Sequence, residues 1–207
     1  MEHRNIIQII LNKIRAVYYR LILKPYYNYI LGHLGDKTTI PSSTRFDYPQ
    51  NIYVGNKVCI GRLSRLSAIP LTGKTHCRIN IGDNTYVGSF AHIFCTAKIE
   101  IGQNVLIADR IYITDNLHTY SDITIPIIAQ PILQISEVQI GDGVWIGENV
   151  CIIGASIGKQ SVIGANSVVT KSIPDYCVAV GAPAKIIKRY SFEEQTWLKT
   201  DANGSFI

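Results

Sequence analysis

One histidine, His118, lies among small polar residues in the stretch ITDNLHTYSD at positions 113–122. A neutral imidazole at about pH 7 can accept the proton of a hydroxyl group while that oxygen attacks an electrophile. Asp115 and Asn116 come just before it and are candidates for orienting the ring or binding a hydroxylated ligand. His92, further upstream, is a candidate for bordering the same pocket. These residues predict general-base chemistry on a polar ligand, provided that the fold brings them together.

A second group of residues, nearer the C-terminal end, is suited to a phosphorylated ligand with a long arm. In GANSVVTKSIP at 164–174, the small Ala165 permits close approach to the backbone, and Thr170 and Lys171 follow it. In GAPAKIIKRY at 181–190, Lys185 and Lys188 add positive charge within one short segment. Charged donors of this kind form strong hydrogen bonds with phosphate oxygens.

The composition favours one compact domain with a small appendage. Of the 207 residues, 47% are apolar and 17% are charged, which excludes a disordered chain. The net charge of +5 suits an anionic partner such as a phosphorylated cofactor, an acidic glycan or a lipid surface. It is too small to indicate nucleic acid, and no zinc-finger spacing or basic run is present. The five cysteines form no CxxC motif, which favours a reduced, cytoplasmic protein without a metal site.

The elements that position these residues are predicted by a short internal repeat. From residue 54 an aliphatic residue returns every six positions, often followed by glycine, as in VGNKVC, IGDNTY, IGQNVL, IGDGVW and IGENVC. A period of six fits neither an amphipathic helix nor a plain strand, whose periods are about 3.6 and 2. It fits short strands separated by corners, with small residues that let the backbone bend. Three such sides form one coil, so we predict a mainly β protein, a parallel β-helix with an aliphatic core over residues 36–190.

The repeat is broken twice, and function is expected where a regular scaffold is interrupted. The first break is SAIPLTGKTHCRIN at 67–80. The second, at about 119–139, is long and contains prolines, so we predict a loop that projects from the β-helix. His118 lies at the mouth of this second loop.

The two ends are predicted to be helical. In residues 1–35, IIQIILNKIRAVYYRLIL has helical apolar spacing, which predicts an amphipathic helix ending near Pro25. Its apolar face would pack on the domain or on a neighbouring subunit, or alternatively bind the cytoplasmic face of a membrane through basic and aromatic residues. In residues 191–207, Ser191 and Glu194 of SFEE resemble a capping box, which predicts a short helix through Trp197.

The pattern resembles the hexapeptide-repeat acyltransferases over roughly residues 50–190. The stretch VQIGDGVWIGENVCIIGASIGKQSVIGANSVVTKSIP is especially similar to the sugar O-acetyltransferase branch, which includes enzymes that decorate lipopolysaccharide, capsule or exopolysaccharide. The resemblance implies a left-handed β-helix, a homotrimer, acetyl-CoA as the acetyl donor and a carbohydrate acceptor.

The resemblance also implies roles for individual residues. His118 matches the catalytic base, and Trp145 matches a tryptophan near the active site. Some relatives carry a second histidine where this chain has Asn116, and relatives often have arginine where Lys185 and Lys188 stand. The residues in acetyl-CoA-contacting places are Ala165, Thr170, Lys171, Lys185 and Lys188.

The sequence therefore predicts an acetyl-CoA-dependent O-acetyltransferase acting on a sugar hydroxyl, in the cytoplasm or at the inner face of the membrane. One alternative keeps the chemistry and changes the acceptor to an antibiotic, a serine or an amino sugar. A second is a metal hydratase resembling the γ-class carbonic anhydrases, which needs three imidazoles on one zinc, here His76, His92 and His118. A third is a binding or structural solenoid without activity.

Overall fold

Short strands follow one another around three flat faces, and each face is a parallel sheet. The structure is a computed structural model and describes residues 2–74 and 76–207, with side chains from residue 8 onward. In chain order the strands are β1 (His33–Leu34), β2 (Arg45–Asp47), β3 (Ile52–Val54), β4 (Cys59–Ile60), β5 (Arg65–Ala68), β6 (Arg78–Ile81), β7 (Tyr86–Val87), β8 (His92–Cys95), β9 (Lys98–Ile101), β10 (Leu106–Ile107), β11 (Tyr112–Thr114), β12 (Asn116–His118), β13 (Ile132–Gln134), β14 (Val138–Ile140), β15 (Trp145–Ile146), β16 (Cys151–Ile153), β17 (Val162–Ile163), β18 (Val168–Val169), β19 (Cys177–Val180), β20 (Lys185–Ser191) and β21 (Thr196–Lys199).

The three faces are named A, B and C. Face A contains β1, β3, β6, β9 and β14; face B contains β4, β7, β10, β15, β17 and β19; face C contains β2, β5, β8, β11, β16 and β18. The chain passes from A to B to C and back to A, so one circuit is one coil. The winding is that of a left-handed parallel β-helix, as the resemblance implied.

The core is a ladder of aliphatic side chains stacked in register. On face C, Ile113 pairs with Ile93 of the coil below and Ile152 of the coil above. All three side chains are fully buried. Because each coil covers the apolar side chains of its neighbour, the core is buried by stacking alone.

The corners explain the small and polar residues of the repeat. Asn84 and Asn104 follow face A in successive coils with φ of 57°; asparagine tolerates this left-handed conformation better than most residues. Gly82 has a different task from the bending predicted above. A Cβ on Gly82 would lie 2.6 Å from the carbonyl carbon of Gly102 in the next coil, so glycine allows the coils to stack closely.

The N-terminal segment is helical, but the prediction that the helix ends near Pro25 is wrong. Helix α1 (Glu2–Tyr18) continues through a π-helical turn (Tyr19–Leu23) into α2 (Lys24–Ile30). Within the turn, the Lys24 N–H bonds the carbonyl of Tyr19, five residues back. This wider turn places Pro25 in the first turn of α2, where its missing N–H costs little. In the part of the chain that the structure describes, neither helix has the length and apolarity needed to cross a bilayer.

The predicted C-terminal helix is also wrong, because residues 185–199 form an antiparallel hairpin of β20 and β21 on the edge of face B. The hydroxyl of Ser191 does accept a hydrogen bond from the Glu194 N–H (3.1 Å), but it closes the turn between the two strands. Tyr190 and Trp197 pair across the hairpin with their rings edge to face. Cross-strand aromatic pairs stabilise sheets, so side-chain packing favours the strand over the helix here.

Both breaks in the repeat leave the β-helix at the edge between faces C and A, which we call the C–A edge. The first connects β5 to β6, and the second connects β11 to β14. In the second, β12 and β13 pair as an antiparallel ribbon, joined by residues 119–131 with a short 3-10 helix at Ile127–Ala129. We call residues 116–134 the arm.

Candidate active site

His118 ends β12 and is exposed to solvent on the arm. Its Cα lies opposite that of Ile132 in β13, so an antiparallel ribbon fixes the backbone that carries the imidazole. The ribbon is closed by Thr119, whose N–H and hydroxyl both donate to the carbonyl of Pro131 (3.1 and 2.6 Å). An exposed imidazole on such a support can receive a proton from an incoming hydroxyl group.

Asp115 does not have the substrate-binding or ring-orienting role that the sequence suggested. Its side chain is fully buried at the base of the arm. One carboxylate oxygen accepts the N–H groups of Ala97 (2.7 Å) and Lys98 (3.0 Å). The other accepts the N–H and hydroxyl of Thr96 (2.9 and 3.1 Å). Asp115 therefore ties the arm to the corner of the previous coil.

Asn116 is also buried, and its position corrects the same expectation. Its side-chain amide donates to Asp115 Oδ1 (2.9 Å) and to the carbonyl of Phe94 (3.4 Å). It therefore supports the arm from below and is not free to bind a sugar hydroxyl. Asn116 stands where some relatives carry a second histidine, and its amide is directed at Asp115.

Gln134, which the sequence analysis missed, holds the other strand of the arm. Its amide nitrogen donates to the carbonyl of Asp115 (2.9 Å). Its amide oxygen accepts the hydroxyls of Thr96 (2.7 Å) and Thr72 (3.1 Å). Because Thr72 belongs to the first break, Gln134 links the two interruptions of the repeat. A glutamine inside a loop carries no sequence signal for this role.

Thr170 and Lys171 lie on the same edge as the arm. They follow β18 and are exposed at the C–A edge, two coils beyond β11, where the arm begins. Neighbouring strands are about 4.8 Å apart, so the two corners are separated by about 10 Å along the edge. The structure therefore places the candidate base and one candidate phosphate-binding cation along one edge.

The other predicted donor-site residues lie elsewhere on the same chain. Trp145 projects from face B, half exposed, in a row with Leu106. Ala165 is exposed at the edge between faces B and C, and Lys185 and Lys188 are exposed on β20. In a three-sided β-helix, face B is opposite the C–A edge. One subunit therefore does not bring Trp145 to His118.

His92 lies on the outer side of face C, half buried between the rings of Phe94 and Tyr112. Its Nε2 atom is buried and has no hydrogen-bond partner among the described residues. Burial, and then the positive charge of Arg65, lower the pKa of His92 below its ordinary value, while Asp47 acts in the opposite direction. Its surroundings are those of a packed side chain on a flat sheet.

A cleft of about 510 Å³ lies beside the base of the arm on the face A side. Ala97 and Lys98, whose N–H groups bond Asp115, form one wall, and Glu137, just after the arm, forms another. The first break contributes Lys74 and His76. The sequence analysis missed Lys98, because alternate charged residues on a strand indicate no more than a solvated face.

A larger groove of about 840 Å³ follows the edge between faces A and B and contains no residue of the predicted site. Asp83, Asp142 and Asp175 line it. Each accepts a backbone N–H from an adjacent coil, at 2.7 to 2.9 Å. These carboxylates therefore hold stacked corners together.

The histidines needed for a metal hydratase are not brought together. His92 lies on face C, His76 lines the cleft and His118 is on the arm. Across residues 2–74 and 76–207, the structure has no group of three His, Cys, Asp or Glu side chains placed to hold a metal ion.

A three-sided left-handed β-helix built from six-residue repeats is the fold of hexapeptide-repeat proteins. The family model described as the hexapeptide repeat of succinyl-transferase matches residues 137–171. WbbJ of Escherichia coli (strain K12), provisionally assigned as a lipopolysaccharide-biosynthesis O-acetyltransferase, is 41% identical over 128 residues. These residues cover 58% of this chain and 65% of WbbJ, so the chain spans slightly less than two thirds of this relative's length.

Solved structures agree on the fold. A hexapeptide-repeat acetyltransferase of Vibrio cholerae O1 biovar eltor, complexed with acetyl coenzyme A, has a TM-score of 0.58 and 25% identity, over 80% of this chain and 74% of that chain. A variant of AntD, an N-acyltransferase from Bacillus cereus complexed with dTDP and coenzyme A, has a TM-score of 0.68 and 21% identity, over 83% of this chain and 90% of that chain. The chain therefore shares the fold of hexapeptide-repeat acetyltransferases and is similar in sequence to members of that family.

Proposed function

We propose that the protein is an acetyl-CoA-dependent O-acetyltransferase that modifies a sugar hydroxyl of a surface polysaccharide or its precursor. The observation that carries the proposal is the exposed His118 on an arm held at the same edge as Thr170 and Lys171. The relationship to WbbJ supports a carbohydrate acceptor.

The chemistry is direct acyl transfer. His118 accepts the proton of the acceptor hydroxyl while its oxygen attacks the thioester carbonyl, and the coenzyme A thiolate leaves as the tetrahedral intermediate collapses. The proton on His118 then passes to the thiolate, which returns the imidazole to its neutral form. Backbone N–H groups stabilise the oxyanion. A covalent acyl-enzyme on cysteine is disfavoured, because Cys77, Cys95 and Cys177 are buried and no cysteine is hydrogen-bonded to a histidine among the described residues.

The acceptor is assigned to the cleft beside the arm, and the donor to Lys171 on the same edge together with Lys185 and Lys188 on the face B side of a neighbouring copy. Lys171, Lys185 and Lys188 are exposed and form no ion pair with any residue that the structure describes. Such free cations fit the phosphates of acetyl-CoA. The acceptor enters the cleft beside the arm, where Lys98 and His76 supply polar contacts.

A complete site requires more than one subunit. His118 and Trp145 lie on opposite sides of one β-helix, so both reach one acetyl group only if face B of one copy meets the C–A edge of another. Tyr86, Leu106 and Trp145 form an exposed apolar row on face B, and Ile123 and Ile128 are almost fully exposed on the arm. We propose that these surfaces meet in a homotrimer, with three equivalent sites between subunits.

The test is acetyl-CoA consumption, measured as free thiol released, across a panel of bacterial oligosaccharides. His118→Ala is expected to lower kcat by about 10²–10⁴-fold, the usual contribution of a general base. The matched control is His33→Ala, which removes an exposed histidine on β1 of face A and is expected to leave the rate unchanged. Wild-type rate in His118→Ala would overturn the assignment of the base.

The same assay separates the acceptor classes. An O-acetyl ester is cleaved by hydroxylamine, whereas the N-acetyl amide of an amino sugar is not. A product that resists hydroxylamine would show that the acceptor is an amino group and not a sugar hydroxyl. A protein that binds oligosaccharide without releasing thiol would be a binding solenoid.

A further inference from the structure

Helix α1 carries an apolar face that is largely uncovered; at the C-terminal end of α1, Arg15, Ala16 and Tyr18 line a groove of about 710 Å³ against the β-helix. From Gln8 to Tyr18, every side chain of α1 is exposed. The larger apolar side chains on one side of the helix are 41% to 59% exposed: Ile10, Leu11, Ile14, Val17 and Tyr18. At about 100° per residue these five occupy an arc of about 120°, so they form one continuous stripe.

The basic residues of α1 flank this stripe. Lys13 and Arg15 lie about 40° beyond its two edges, one on each side. The opposite side of the helix is mixed: the Gln8 amide donates to Asn12 there (3.2 Å), and Ile9 and Ala16 lie beside them. An apolar stripe bordered by cations is the arrangement of helices that lie in the plane of a membrane surface.

The positive charge of the protein is concentrated in this segment. Residues 1–35 contain five Lys or Arg and one Glu, a net charge of +4 out of +5 for the whole chain. The sequence contains no Asp or Glu from His3 to Gly35. Among the residues that the structure describes, Lys24 pairs with Asp36 (3.1 Å), whereas Lys13, Arg15 and Arg20 form no ion pair.

The helix is anchored to the β-helix at its C-terminal end. Tyr27 of α2 is buried, and its hydroxyl donates to the carbonyl of Pro41 (2.9 Å). The Tyr19 hydroxyl donates to the carbonyl of Thr38 (2.6 Å). Because α2 caps the first coil, α1 is held as an extension of the N-terminal end and its stripe is not drawn into the core.

We propose that α1 lies on an anionic lipid surface, with its stripe in the acyl boundary and Lys13 and Arg15 at the headgroups. A second copy of the chain is the weaker occupant, because pairing two α1 helices would bring two sets of uncompensated cations together. The rest of the chain, with a net charge of +1, is not acidic either. An anionic bilayer supplies both the apolar medium and the negative charge. The proposal does not depend on the acceptor or on His118.

Vesicle co-sedimentation of the full chain tests the proposal. The wild type is expected to bind vesicles of phosphatidylcholine with about 30% phosphatidylglycerol, and to bind less at high salt. The double variant Lys13→Gln/Arg15→Gln is expected to bind roughly 30-fold more weakly, since each cation contributes about fivefold. Ile10→Ser/Ile14→Ser is expected to lose at least about tenfold, through the stripe alone.

The matched control is Gln8→Ser/Asn12→Ser on the side opposite the stripe, which is expected to bind as the wild type does. The proposal would be overturned if the wild type bound pure phosphatidylcholine vesicles as well as it bound the anionic vesicles, or if it bound neither. It would also be overturned if Ile10→Ser/Ile14→Ser changed the mass measured by sedimentation but left vesicle binding unchanged. That result would show that the stripe contacts a second copy of the chain. Acetyl transfer to a soluble acceptor is expected to be unchanged in all three variants.

Discussion

At the scale of single residues, the most constrained group beside His118 is a buried carboxylate. Asp115→Asn keeps the size of the side chain but turns one acceptor into a donor that faces the N–H groups of Ala97 and Lys98. We expect the free energy of unfolding to fall by about 2–4 kcal/mol, because buried polar groups lose their partners. Urea unfolding followed by circular dichroism measures this change.

The matched control for that substitution is Asp122→Asn. Asp122 is exposed on the arm and its carboxylate bonds only the N–H and hydroxyl of Thr124 among the described residues. Its loss is expected to cost less than about 1 kcal/mol. Equal losses in the two variants would show that Asp115 is not a structural tie.

His92 makes stability depend on pH. Its pKa is lowered in the folded protein, first by burial and then by Arg65, so the unfolded chain binds a proton more readily. The contribution of His92 to stability is therefore present above its ordinary pKa of 6.5 and is lost as pH falls through the lowered value. We expect the free energy of unfolding to fall less in His92→Gln than in the wild type when the pH is lowered from about 8 to about 5. Urea midpoints at each pH measure this difference. Parallel pH dependences would contradict this assignment.

At the scale of elements, the arm acts as a rigid support for His118. Gln134→Ala removes three hydrogen bonds that fasten β13 to the C–A edge. We expect kcat for acetyl transfer to fall by roughly tenfold or more, since small misplacements of a reacting group are costly. We expect the KM for acetyl-CoA to change little, because the donor is assigned to other coils. Steady-state kinetics measure both.

The control for the arm is Gln103→Ala, at the edge between faces A and B, where the amide bonds Asp142 (3.3 Å). It removes a glutamine that is more exposed than Gln134 from a corner without chemistry, so kcat is expected to remain near wild type. A raised KM with unchanged kcat in Gln134→Ala would instead make the arm part of the donor site.

The elements also show why the sequence predicts the middle of the chain better than its ends. In the repeat, each aliphatic residue meets its own equivalent in the next coil, as Ile93, Ile113 and Ile152 do, so local pattern and tertiary contact carry the same information. At the ends they differ. SFEE has the spacing of a helix cap, yet Tyr190 and Trp197 pair as strands because a sheet edge is available. Likewise, the buried state of Asp115 depends on the corner of another coil, which no local motif records.

At the scale of the whole molecule, the three-sided shape decides which residues can share a site. The C–A edge carries His118, Thr170 and Lys171, whereas Trp145 is on the opposite face. Within one subunit this separation is imposed by the winding itself and is not removed by side-chain motion. The proposed chemistry therefore requires that the edge of one subunit and face B of another act together.

Subunit complementation tests this requirement. His118→Ala and Trp145→Ala are each expected to be nearly inactive, but trimers co-expressed from equal amounts of both are expected to recover about a quarter of wild-type activity, because about a quarter of the interfaces then combine an intact edge with an intact face B. The control is a mixture of His118→Ala and Lys171→Ala, whose altered residues share one edge, so no intact edge forms and no recovery is expected. Recovery in both mixtures, or in neither, would contradict a site built from the edge of one subunit and the face of its neighbour.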